Sequence, residues 1–163
     1  MESFNKEILW SQFGAAIDML RNAILECPMD LWNNRNRQPE FWYLAYHTLF
    51  WLDFYLTENP SEYIPREPFG ITELDPAGIL PGRLFTQDEL IDFLDIGRTK
   101  CKSVINRLTT EKAAEKYEFG SVNLPFLELI LYNMRHVQHH TAQMNLILRQ
   151  QINNAPAWIK KVE

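Results

Sequence analysis

Three of the chain's four histidines, His136, His139 and His140, fall within five residues. Neutral imidazole is the commonest metal-binding side chain. Two histidines four apart on a helix lie one turn apart on the same face, so both can reach one ion. The run offers two pairings, His136 with His139 or His136 with His140, and helical rotation separates them. With His136 set at zero and about 100° per residue, Phe126, Leu129, Ile130, Met144, Ile147 and Leu148 form an apolar stripe centred near +60°. His140 falls at about +40°, inside that stripe, and His139 at about −60°, outside it. His136 and His140 are therefore the expected ligands, with His139 beside them, at a pocket rim or on the surface. A typical three-ligand centre with an open position needs one more ligand. His47 is the only other histidine. It lies in the most apolar segment of the chain, where an unpaired imidazole is unfavourable. The expected centre is His47, His136 and His140 around one divalent ion, and three imidazoles suit zinc, nickel, copper or iron.

Other chemistries lack their residues. A zincin needs His-Glu-x-x-His, but Val137 stands where its general base would be. The two cysteines, Cys27 and Cys101, make neither a Cys-x-x-Cys pair nor a disulfide scaffold. The six glycines are scattered and form no phosphate loop, and no serine sits in a nucleophile elbow. No Asp or Glu falls within a turn of the late histidines; Glu128 is two turns away, and Asp53 lies beyond His47 on another side. No general base is legible, so a catalytic account has to lean on the ion. Candidate pocket residues are Tyr43 and Trp51 on the helix of His47, and Tyr132, His139 and Gln143 on the helix of the late histidines.

Four long helical segments must position these side chains. Residues 4–25 carry Ile8, Leu9, Phe13, Ile17, Leu20 and Ile24 at the three-and-four spacing of an amphipathic helix. A second helix is expected over 39–58, with Pro39 in its first turn. Its stretch FWYLAYHTLFWLDFYL has almost no polar face, which suits a helix touching neighbours on several sides. A third helix spans 86–108 and opens on the capping box Thr86-Gln87-Asp88-Glu89. A short turn over 110–116 and a connector at Phe119-Gly120-Ser121 follow. The last helix is expected over 124–151, with Asn123 as N-cap and Pro125 in its first turn. Between the second and third helices, five prolines and three glycines break every pattern over 58–85. A loop that long is usually a lid, a binding loop or mobile. Its apolar residues, among them Tyr63, Ile64, Phe69, Ile71, Ile79, Leu80 and Phe85, predict that it packs back onto the helices. Trp158 and Ile159 are expected to dock the C-terminus. The fold class is all-α, a four-helix bundle with a long irregular loop.

The 163 residues support a single domain, 1–163. With 46% hydrophobic and 23% charged residues, whole-chain disorder is excluded. A net charge of −5 argues against a nucleic-acid or anionic-membrane surface. The only dense basic clusters are Arg35/Arg37 and Lys160-Lys161. No apolar run reaches the roughly 18 residues of a spanning helix, and the N-terminus has no signal-peptide pattern, so a cytoplasmic protein without membrane partners is expected.

A histidine in mid second helix, a long irregular connection and a closing helix with His136-x-x-His139-His140-x-x-Gln143 resemble the DinB/YfiT-like superfamily. The resemblance covers most of the chain. It implies a four-helix bundle with a divalent metal held by His47, His136 and His140. Many members continue the double histidine with Arg-Gly-Gln, whereas Thr141-Ala142-Gln143 stands here. Relatives imply a metal-dependent transferase that activates a low-molecular-weight thiol such as bacillithiol, and a related domain occurs in mycothiol-dependent maleylpyruvate isomerase. Others are described as metal-dependent hydrolases, and a metal-binding stress protein without turnover is the third reading. The implied partners are a small thiol and an electrophile or another small substrate, with a homodimer as the assembly.

Overall fold

The computed structural model describes residues 3–163. Its long helices are α1 (Ser3–Glu26), α3 (Phe41–Phe54), α4 (Gln87–Arg107) and α6 (Phe126–Ile152); two short ones are α2 (Met29–Trp32) and α5 (Thr110–Ala114). Two short strands, β1 (Lys116–Phe119) and β2 (Val122–Pro125), precede α6. α1 packs on α4 and α6, and α3 packs on the same two. The chain is thus predominantly helical, and its core forms where the apolar faces of these four meet. Phe13, Ile17 and Leu20 of α1, Leu94 and Cys101 of α4, and Leu129, Val137 and Leu148 of α6 are fully or almost fully buried. Each large apolar side chain withdrawn from water this way contributes roughly 1.5–3 kcal/mol.

α3 is the least amphipathic helix because it is covered nearly all round. Eleven of its 14 residues are buried. The three that are not, Tyr43, His47 and Trp51, are four apart and form one narrow open stripe. This stripe is where the site lies. The helix starts two residues later than the sequence suggests: Pro39 stays outside, and Glu40 is the N-cap, buried beneath Trp42 and Arg35.

The capping box at the start of α4 forms as expected. Thr86 Oγ1 accepts from the backbone N–H of Glu89, and Glu89 Oε2 accepts from the backbone N–H of Thr86. The entry to α6 differs. Residues 116–125 form an antiparallel hairpin in which Phe119 pairs with Val122. Gly120 takes φ +56°, the left-handed conformation such a tight turn demands at its first position. Asn123 is therefore a strand residue whose side chain donates to Glu118, not an N-cap; Pro125 occupies the cap position, with no side-chain hydrogen bond. Four-residue strands are too short for a period-two pattern to stand out.

Residues 58–85 hold only two single 3-10 turns, Pro60–Glu62 and Thr72–Leu74. Phe69 and Phe85 are buried, but Ile64, Ile71, Ile79 and Leu80 are exposed, so the loop packs back through its aromatic residues and not through its isoleucines. The C-terminal tail docks on α1 by backbone groups: Val162 N–H donates to Ser11, and Trp10 and Gln12 donate to the carbonyls of Glu163 and Lys160. Trp158, expected to anchor it, is exposed. Among the described residues, no helix is long and apolar enough to cross a membrane.

Candidate metal centre

α3 delivers His47 and α6 delivers His136 and His140 to one point. Their nearest ring nitrogens all lie within 4.8 Å of one another. His47 Nε2 and His136 Nε2 are 3.3 Å apart. Two imidazole nitrogens bound tetrahedrally to one zinc at about 2.0–2.1 Å would stand about 3.3 Å apart. The α3–α6 seam is fixed nearby by Asn133, fully buried, whose Nδ2 donates to the carbonyl of Leu52. Thr48 and Thr141 are also fully buried there and satisfy their hydroxyls on the carbonyls of Leu44 and Val137, four residues earlier.

The outer nitrogens decide which lone pairs face inward. His47 Nδ1 donates to Glu73 Oε2 at 2.6 Å, which turns Nε2 towards His136 and the cluster. His140 Nδ1 faces Gln143 Oε1 at 2.7 Å, an acceptor that leaves Nε2 free. His136 Nδ1 is buried without a partner. Burial, reinforced by the neighbouring imidazoles, holds His136 down to about 3. Burial also lowers His140, against the opposing hydrogen bond to Gln143. Both rings are therefore neutral at neutral pH, the form that binds metal. Three converging imidazoles, two with their second nitrogen tied off, form a donor set that could hold a divalent ion.

Glu73 is the residue that sequence reasoning missed. It comes from the 3-10 turn Thr72–Leu74 inside the long loop, and its side chain is only 4% exposed. Oε2 also accepts from Trp51 Nε1 at 3.2 Å. Burial raises the Glu73 carboxyl, but the hydrogen bond and charge of His47, with hydrogen bonds from Tyr43 and Trp51, outweigh it and bring the net shift down. A carboxylate is thus beside the histidines after all, brought by a segment whose lack of periodicity gave no hint of where it would fold. A histidine that binds metal typically donates its other N–H to such a group.

The other expected residues fall into two groups. Tyr43 and Trp51 flank His47, with ring centroids 6.1 and 6.4 Å from it, and close over Glu73. Tyr132 and His139 line, with Arg135 and His136, a groove of about 370 Å³. A larger cleft of about 680 Å³ shares Tyr132 and Arg135 and continues towards the hairpin. His139 is exposed and outside the three-nitrogen cluster, as its angle on the helix predicted. Gln143 serves His140 directly. Asp53 points away, paired with Lys100 and accepting from Tyr63.

The family model of the DinB superfamily matches residues 12–144, an interval that contains all three histidines and Glu73. The chain belongs to the DinB superfamily. In this DinB-superfamily chain the predominantly helical fold and the convergence of His47, His136 and His140 support a metal-binding protein. No curated protein matches the chain.

Proposed function

We propose that this DinB-superfamily protein is a metal-dependent enzyme, with His47, His136 and His140 as ligands, that activates a small thiol for transfer to an electrophile. The observation that carries the reading is the meeting of three imidazoles, with the outer nitrogens of His47 and His140 held by Glu73 and Gln143. A divalent ion held by neutral ligands keeps its double positive charge and acidifies a thiol or water brought to it.

The chain's own residues supply the rest. Glu73 keeps the proton of His47 on Nδ1, and Gln143 does the same for His140. Tyr43 and Trp51 shield the His47 side, while the groove of Tyr132, Arg135 and His139 offers the substrate an approach to His136. The protein's own thiols are unsuited to be the nucleophile. Cys27 is buried and burial raises it to about 12; Cys101 is more deeply buried and pushed up further. An attacking sulfur would therefore come from a separate molecule.

The test begins with protein purified without a histidine tag. Zinc and nickel affinities are measured by calorimetry, and the loaded protein is screened with small thiols and alkylating or epoxide electrophiles, alongside His140→Ala. The expected result is thiol-dependent turnover in the wild type, with metal affinity in the variant lower by more than about 100-fold, beyond what losing a supporting residue costs. Equal inertness of the two proteins removes the enzyme reading. Turnover that needs metal but no thiol replaces transfer by hydrolysis. Equal activity of the two removes the site.

A further inference from the structure

The 58–85 segment is held at its flanks by ordinary packing. Phe69 stacks on Phe93 of α4 at 4.4 Å and lies edge-on to Phe85 at 4.9 Å. The carbonyl of Phe85 accepts from Trp32 Nε1 at 3.0 Å. The stretch between these two phenylalanines has much thinner support. Residues 75–80 are all exposed; nearer the turn, Tyr46 Oη donates to the carbonyl of Gly70 and Leu74 packs against the core. A single 3-10 turn has little stability of its own. The turn Thr72–Leu74 is nevertheless seated on the open stripe of α3, and its one deeply buried charged group is the carboxylate of Glu73.

A buried carboxylate needs both hydrogen-bond donors and a balancing positive charge. The donors are present in His47 Nδ1 and Trp51 Nε1. Among the described residues, no Lys or Arg forms an ion pair with Glu73; its salt-bridge partner is His47 alone. The far nitrogen of that same ring, Nε2, points to His136 and the centre of the cluster. A cation held there would act on Glu73 through one imidazole.

We propose that Glu73 is the positioning residue of the metal site and that, through it, metal occupancy and seating of the 70–80 stretch are coupled. This rests on the metal reading given above. Glu73 orients His47 for the ion, and the ion strengthens the His47–Glu73 bond that pins the loop beside the site. Linkage makes the two effects equal: the factor by which a seated Glu73 raises metal affinity is the factor by which metal favours seating. Supporting carboxylates of this kind typically alter metal affinity 10–100-fold, which sets the expected range.

The experiment measures both sides of the linkage on the full chain. Zinc affinity is determined by competition with a chromogenic chelator for wild type, Glu73→Gln and His47→Ala. Amide hydrogen exchange over residues 70–80 is followed with and without zinc. Glutamine has nearly the same shape and can still accept a hydrogen bond, so it preserves a purely structural seat and removes only the charge. The expected result is a 10–100-fold weaker zinc affinity in Glu73→Gln, with slowing of exchange by zinc in wild type and none in the variant. If Glu73→Gln binds zinc as tightly as wild type, or zinc leaves exchange in the wild type unchanged, the coupling is overturned while the metal site stands. If wild type takes up no zinc, or His47→Ala binds it equally well, the metal site itself falls and the coupling with it.

Discussion

Two helical seams of this molecule are built on opposite plans. Among the described residues, the buried polar ones are Glu40, Thr48, Asp53, Asn133 and Thr141, and none belongs to α1 or α4, whose shared core is apolar. Charge is kept to the rim, where Arg98 pairs with Asp18 at 2.7 Å and Arg21 pairs with Asp95. Between α3 and α6 polar groups lie inside: Thr48, Asn133 and Thr141 are fully buried, and beside them His136 Nδ1 and the Glu73 carboxylate are withdrawn from water. Buried polar groups stabilise a fold poorly, since each exchanges water for protein partners at little net gain. Their concentration in one seam puts the polar cluster where packing contributes least, and the apolar seam opposite contributes more of the stability.

The division can be broken at its strong end first. Phe13→Ala, in the fully buried face of α1, is expected to destabilise the fold by about 3–5 kcal/mol in urea unfolding. Saturation with zinc should restore the same increment to this variant as to wild type, because the two seams act independently. A smaller zinc effect in the variant would show that the apolar seam shapes the site. Next comes the metal increment itself. Zinc at a hundredfold excess over its dissociation constant is expected to stabilise wild type by about 2.7 kcal/mol. The increment should vanish in His136→Ala and persist in His139→Ala, since His139 stands outside the cluster; equal losses in both would redraw the ligand set.

The smallest effects belong to exposed polar groups on the apolar side. Thr86→Ala removes the cap of α4 and is expected to cost about 1 kcal/mol without changing zinc affinity. Its partner Glu89 supplies a pH signature. The hydrogen bond from the Arg83 guanidinium, aided by Thr86, holds the Glu89 carboxyl down to about 2, against an ordinary 4.5. A depressed acid stabilises the fold fully above its unfolded value and loses that contribution as pH falls towards the folded one. The stability gap between wild type and Glu89→Gln should therefore narrow between pH 4.5 and 2, by a modest amount because the pair is exposed. A gap that widens on acidification would contradict the assignment.

What was legible in the chain followed from local rules. α1, α4 and α6 show because their apolar periodicity repeats over several turns, α3 because its apolar run is almost unbroken, and the start of α4 because a capping box lies within four residues. The choice of His140 over His139 needed only the rotation per residue of one helix. The hairpin before α6 was hidden by the brevity of its strands, and the misplaced cap at Asn123 followed from that. The isoleucines of the long loop show the limit of composition: their apolarity predicted burial, yet nothing local says which loop residues will find a surface.

Sequence alone determined the helices and the face of α6 that looks inward, because each depends on residues a few positions apart. Tertiary structure alone decided that His47 reaches His136 across 89 positions, and that Glu73 leaves an aperiodic loop to close on His47. Those contacts form only once the helices have packed and the loop has docked. Their energy is invisible to any window of sequence, because it resides in the burial of a carboxylate and three rings against one another.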